Sequence, residues 1–359
     1  VSKVIATISK AALRHNYAQV KALAPGKKIM AMVKANAYGH GLVTVAQILD
    51  QADSLGVACI EEAQELIAAK IVTPITLMQG IFVASDLSLV AKFNLSQVLH
   101  SAYQVAALMA YRGPLSTPFK VWLKLNLGMN RLGFKPADFA GIYAQLIEAK
   151  HIQVMGFMTH FPQADEPQDA TLEQYALFKK LLGTRVGARS LANSAAILQW
   201  PEVHADWVRP GLMLYGASPL AKQSAQALNL QPVMQLTSYI IAIQVLKYGE
   251  TVGYGATWYA RQANTRIAIL AIGYGDGYPW QASCQSWVML HQQAAPIVGR
   301  VAMDMIAIDI SAIEQANIGD PVILWGQGLP VEVVATACHS IPYELFCQVT
   351  DRVSRIVVE

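Results

Sequence analysis

The sequence predicts an α/β chain: a (β/α)₈ barrel of the TIM type followed by a mostly β C-terminal domain. Between residues 28 and 216, eight short apolar runs recur every 20 to 35 residues, each followed by a polar break and a helical pattern. Such alternation builds parallel strands with helices outside them, and eight units suit a closed barrel better than an open doubly wound sheet. From about Pro232 the texture changes to strand-like segments punctuated by Gly-Tyr-Gly turns, without long helices between them. A length of 359 residues also exceeds what one small core organises.

The expected division is a barrel over 1–231 and a β domain over 232–359, with 217–230 as the connection. Alternation in the first eight residues reads as a strand, and residues 1–10 are a candidate strand of the β domain. The barrel strands are expected at 28–33, 55–59, 74–79, 97–100, 119–125, 154–160, 189–193 and 207–215. Between them, 61–70 has acids in its first turn and a lysine in its last, while 136–150 opens on Pro136 and closes on Lys150, both helix patterns. Strands of the second domain are expected at 238–246, 266–272, 287–291, 302–309 and 321–325.

Hydrophobic residues make up 54% and charged residues 14%, an apolar balance that implies surface covered by a partner subunit, hence a homo-oligomer. No run approaches the roughly 18 to 20 apolar residues of a membrane span. A net charge of +3 without a basic cluster argues against nucleic acid. The N-terminus lacks the pattern of a secretion signal, so the cytoplasm is the default. Cys59, Cys284, Cys338 and Cys347 are scattered, which argues for buried thiols and against a metal site or disulfide framework.

The most informative stretch is Val33-Lys34-Ala35-Asn36-Ala37-Tyr38-Gly39-His40-Gly41, where a lysine closes an apolar strand and glycine-rich backbone follows. A lysine after a strand is usually a snorkelling surface charge, but a partly desolvated amine there can lose its proton and attack a carbonyl. An aldehyde cofactor, naturally pyridoxal phosphate, would then require a phosphate cradle and a partner for its ring nitrogen. Ser194, after strand seven, and Gly211, in strand eight, could form the cradle, although, taken singly, a helix cap and a bulge explain them better. Arg209, inside an apolar strand, needs a buried acceptor, either a carboxylate or a pyridine nitrogen. His160 closes strand six at the same mouth. Arg131, in Gly128-Met129-Asn130-Arg131-Leu132-Gly133, suits a substrate carboxylate, and Lys124 in its apolar strand needs compensation or modification.

Together with Thr159-His160-Phe161, Asn193-Ser194-Ala195-Ala196, Val208-Arg209-Pro210-Gly211, Gly273-Tyr274-Gly275-Asp276-Gly277-Tyr278 and Val301-Ala302-Met303-Asp304, these segments closely resemble the alanine racemases over essentially the whole chain. The resemblance implies pyridoxal phosphate carried on Lys34, a small amino acid as substrate, and racemisation of alanine. Lys34 would act on the D-face and Tyr274, delivered by the second subunit of a homodimer, on the other. It further implies His160 and Arg209 behind the tyrosine as sources of positive charge, which a phenol with an ordinary pKa near 10 needs to act as a base. Tyr38, Ser194, Gly211, Leu212 and Tyr343 would hold the phosphate. Arg131 and Met303, with Asp304 beside them, would hold the substrate carboxylate, and Lys124 matches a position that is carbamylated in many members. Ala302 and Asn130 depart from common residues close to the substrate. The alternatives are a broad-specificity or serine racemase, a basic amino-acid decarboxylase of the same class, and a non-catalytic pyridoxal phosphate carrier. The Tyr274 segment and the short chain argue against the decarboxylase, and Tyr274 with the β domain against the carrier.

Overall fold

The computed structural model describes residues 4–166, 169–282 and 286–359, so Cys284 and the first three residues of the expected N-terminal strand lie outside the described residues. The eight parallel strands close into a barrel: Lys28–Met32, Ser54–Val57, Ile75–Leu77, Ser96–Leu99, Phe119–Lys124, Ile152–Met158, Ala188–Ser190 and Trp207–Val208. Closure is made by Lys28 and Ile29 pairing in parallel with Trp207 and Val208. Each expected run contains its strand except the first residues of the second, fourth, sixth and seventh, which begin one or two residues earlier.

Strand eight needs correction. Expected over 207–215, it pairs only at Trp207–Val208; Pro210 removes a ladder donor, and Leu212–Tyr215 coils into a short 3-10 helix. Arg209 and Gly211 therefore stand beyond the strand, on the loop at the barrel's mouth. At strand one the chain likewise leaves the sheet after Met32, and Lys34–Tyr38 is a tight turn rather than the start of an ordinary helix.

Val4–Ser9 does not belong to the barrel. It pairs antiparallel with Met234–Leu246 and parallel with Ser354–Val358 in the C-terminal sheet. In that sheet Met234–Leu246 pairs with both Pro321–Trp325 and Thr265–Leu270, which closes the pairings through Ile306–Asp309, Gln293–Val298 and Trp287–Leu290 into a ring. Several elements of this domain were not expected from the sequence, among them the strands Gln293–Val298 and Ser354–Val358, the short pair Thr251–Val252 and Trp258–Tyr259, and the helices Val331–Ala337 and Pro342–Gln348. The expected strand 302–309 begins only at Ile306, because the preceding residues form a turn against Tyr274. No helix among the described residues is long and apolar enough to cross a membrane. The helix Pro342–Gln348 lies against the Lys34–Tyr38 turn: a Cβ on Gly39 would stand 1.9 Å from the Phe346 carbonyl oxygen. It is this contact that brings the second domain to the barrel's mouth.

Candidate active site

Four consecutive residues after Lys34 adopt left-handed backbone, with φ of 54° at Ala35 and 52° at Asn36, Ala37 and Tyr38. None is glycine, so the turn stores roughly 1 to 2 kcal/mol per residue. Several bonds hold it. Asn36 Oδ1 accepts from Leu42 N at 2.7 Å, Arg355 Nε donates to the Gly39 carbonyl at 2.8 Å, and Glu62 Oε1 accepts from Ala35 N at 2.6 Å. Tyr38 stacks on Tyr215 with centroids 4.7 Å apart, and Tyr215 donates its hydroxyl proton to the Met32 carbonyl at 2.8 Å. His40 is fully buried, donates from Nδ1 to the Tyr38 carbonyl at 2.7 Å, and is held neutral by burial, which pushes its pKa down to about 4.

The turn opens onto a cavity of about 760 Å³ at the C-terminal mouth of the barrel. Ten of the candidate residues line it: Lys34, Tyr38, Lys124, Arg131, His160, Ser194, Arg209, Gly211, Leu212 and Tyr343. Lys34 reaches solvent through the mouth, yet surrounding protein desolvates its ammonium and Arg131 adds repulsion, so its pKa falls below the ordinary lysine value. Lys124 is buried, and desolvation, with Arg209, Arg131 and Lys34 adding repulsion, pushes it down to about 8.

Arg209 finds its acceptors, and they are not carboxylates. Its guanidinium donates to Ser190 Oγ at 2.7 Å, to the Thr159 carbonyl at 2.7 Å and to the Leu191 carbonyl at 3.1 Å. It also donates to His160 Nδ1 at 3.2 Å. Because Nδ1 accepts, the neutral imidazole of His160 carries its proton on Nε2. Burial, reinforced by Arg209, lowers the His160 pKa well below the ordinary value. The expectation that both residues supply positive charge is thus revised: the charge is Arg209's, and His160 offers an N–H.

Ser194 is not the helix cap. Asn193 caps the helix Ser194–Gln199 by accepting from Ala196 N at 3.0 Å, which leaves the Ser194 hydroxyl to accept from Gly211 N at 2.9 Å and Met213 N at 3.3 Å. A Cβ on Gly211 would lie 2.4 Å from the Tyr38 hydroxyl oxygen, so no larger residue lets the two approach this closely. Tyr38, Ser194, Gly211 and Leu212 thus share one wall of the cavity, whose hydroxyls and backbone suit a phosphate, and Lys34, Lys124, Arg131 and Arg209 give the cavity the cationic excess that a phosphate and a carboxylate together require.

Tyr274, Met303 and Asp304 do not join this cavity in their own chain. They stand on the β domain, 43%, 53% and about equally exposed respectively. The turn carrying Tyr274 and the loop carrying Met303 are nonetheless one unit: Tyr274 N donates to the Ala302 carbonyl at 3.1 Å and Gly275 N to the Met303 carbonyl at 2.8 Å. Asp304 pairs with Arg352 at 2.6 Å.

Among the cavity residues not proposed from the sequence, Glu62 and Cys347 carry ionisable side chains. Glu62 was taken for a first-turn acid, although its position three residues beyond Cys59 at a strand's end is capping-box spacing. Cys347, expected buried, is exposed and lines the cavity; its signal is its spacing of one helical turn from Tyr343 on the helix Pro342–Gln348. Cys338 is buried as expected, and Cys59 is half-buried.

The chain matches the family model "Alanine racemase, N-terminal domain" over residues 8–219 and "Alanine racemase, C-terminal domain" over residues 233–357. It is 45% identical over 355 residues to the biosynthetic alanine racemase of Escherichia coli K12, covering 98% of each chain. The biosynthetic alanine racemase of Pseudomonas aeruginosa superposes with a TM-score of 0.96 at 43% identity, each chain fully covered. The Bartonella henselae alanine racemase, solved with covalently bound pyridoxal phosphate, gives 0.91 at 27% identity, again with both chains fully covered. Fold, cavity and matches along both domains agree, and the chain belongs to the alanine racemase family.

Proposed function

We propose that this chain interconverts L- and D-alanine with pyridoxal phosphate held on Lys34, in a homodimer whose second subunit contributes Tyr274. The observation that carries the reading is the cavity that gathers a desolvated lysine, a Ser194–Gly211 cradle and a buried Arg209–His160 pair. When bound, the cofactor supplies an aldehyde carbon that joins the substrate amine and a ring that accepts electrons from the α-carbon. The protein then moves protons and holds charge.

Lys34, its pKa lowered, would take or return the α-proton on the D-face. Tyr274 of the partner subunit would serve the opposite face, with the His160 Nε2 proton available to its phenolic oxygen and Arg209 supplying positive charge behind. An arginine that stays protonated at neutral pH would donate to the ring nitrogen without protonating it, which weakens the ring as an electron sink and disfavours transamination. Tyr38, Ser194, Gly211, Leu212 and Tyr343 would hold the phosphate. Burial pushes Tyr343 up to about 12 and Tyr38 higher still, so both remain phenols able to donate to it. Arg131 and the Met303 backbone N–H would hold the carboxylate, with Asp304 beside them.

The division at 231/232, with the β domain serving the partner's site, and a cytoplasmic role in supplying D-alanine for peptidoglycan belong to the same reading. The test is a chiral product assay on purified protein with added pyridoxal phosphate, offering L-alanine, L-serine and L-lysine in parallel. D-alanine should form much faster than the other products. Comparable rates would point to a broad racemase, and no D-product would overturn the racemase reading.

A further inference from the structure

Glu62 lies in the first turn of the helix Ile60–Ala68, which follows barrel strand two, and lines the cavity beside Lys34. Its two carboxylate oxygens are divided between two loops. Oε1 accepts from Ala35 N at 2.6 Å, in the turn after strand one, and Oε2 accepts from Ala58 N at 2.7 Å, in the loop after strand two. Among the described residues lining the cavity it is the one carboxylate, in the company of Lys34, Lys124, Arg131 and Arg209.

A helix-capping role accounts for only half of this. Accepting from Ala58 N, one residue ahead of the N-cap Cys59, is close to what a first-turn acid does in a capping box. The bond to Ala35 has no such purpose, because Ala35 belongs to another strand's loop and is the first left-handed residue after Lys34. Alanine resists that conformation, and a charge-assisted hydrogen bond at its amide favours the backbone that holds it. The lysine immediately before Ala35 inherits whatever orientation the turn has.

We propose that Glu62 is a positioning residue for the reaction: by bridging Ala35 N and Ala58 N it clamps the left-handed turn and so aims Lys34 into the cavity. The proposal rests on Lys34 being the base for the D-face. It requires both oxygens of one carboxylate. A glutamine keeps the shape, but it has only one acceptor oxygen and turns an NH₂ group toward the other amide.

Four measurements on the full-length, cofactor-loaded protein test it. In the wild type, hydrogen exchange should find the Ala35 and Ala58 amides both protected; rapid exchange at Ala35 would overturn the bridge without any variant. In Glu62→Gln, kcat should fall about tenfold or more while KM stays within about twofold, the size expected for losing one charge-assisted hydrogen bond that orients a reacting group but leaves the carboxylate contacts alone. Wash-out of the α-hydrogen from D-alanine should fall further than from L-alanine, since Lys34 serves only one face. Adding Ala35→Gly to Glu62→Ala should recover part of the loss, because glycine adopts the left-handed backbone without help.

A folded Glu62→Gln protein with a lower thermal midpoint but an unchanged D-to-L wash-out ratio would reduce Glu62 to a helix cap and overturn the proposal. Should Glu62→Gln fail to fold, amide exchange in the wild type still decides. A Lys34→Ala protein that lost wash-out mainly from L-alanine would instead overturn the assignment of faces, and the Ala35 exchange measurement, which does not depend on that assignment, would still test the bridge.

Discussion

Lys124 is a buried amine whose charge is disfavoured by its surroundings. It is buried among cations, and no ion pair involves it among the described residues. Its folded pKa of about 8 lies below the ordinary 10.5. The unfolded chain therefore binds more protons between these values, and the contribution of Lys124 to stability rises as pH climbs through that window and is at its worst below it. A neutral fraction near pH 8 can take up carbon dioxide, and the resulting carbamate would be an anion facing Arg131 and Arg209. Bicarbonate at pH 8 should accordingly raise the thermal midpoint of the wild type but not of Lys124→Met; an equal response in both would exclude Lys124 as the site. Residues of this kind are legible in sequence because a charge inside an apolar strand is conspicuous. Glu62 is not, since an acid in a first helical turn is commonplace and its second bond runs to a different loop.

The elements that place the site were read with uneven success, for one physical reason. Apolar periodicity marks strands and helices but says nothing of the backbone between them. The seven earlier barrel strands are recoverable from their apolar runs, whereas strand eight was overextended because the apolar residues 212–215 coil instead of pairing. The left-handed turn after Lys34 is harder still, since nothing about Ala-Asn-Ala-Tyr announces positive φ. Gly39 is a marker of it, being both left-handed, at φ 75°, and pressed against the Phe346 carbonyl. Gly39→Ala must push the helix carrying Tyr343 and Cys347 away from the turn. The expected loss is about 2 kcal/mol or more, seen as a thermal midpoint lower by roughly 5 °C and weaker retention of pyridoxal phosphate. A midpoint unchanged within about 1 °C would mean that the contact yields without consequence.

At the level of the whole chain, an apolar composition pointed to a covered surface, and the structure leaves Tyr274, Met303 and Met305 exposed on the β domain, apart from the cavity of their own subunit. If each site draws on two subunits, mixing inactive Lys34→Ala with inactive Tyr274→Phe should restore up to about a quarter of wild-type activity, because half the dimers are mixed and each carries one intact site. Activity that stayed at the level of the separate variants would locate both bases in a single chain. The sheet that carries Tyr274 has its own consequence for how the protein is made. Val4–Ser9 leaves the ribosome before either partner: the residues it pairs with antiparallel are complete only once Ser238 has been added, and its parallel partner only after Val358. During synthesis the barrel strands can associate while this first strand, with Val4, Ala6 and Ile8 destined for burial, waits unpaired. Vectorial folding would thus complete the scaffold of one half of the site before the platform for the other, and the emerging chain would carry an adhesive edge until those partners arrive.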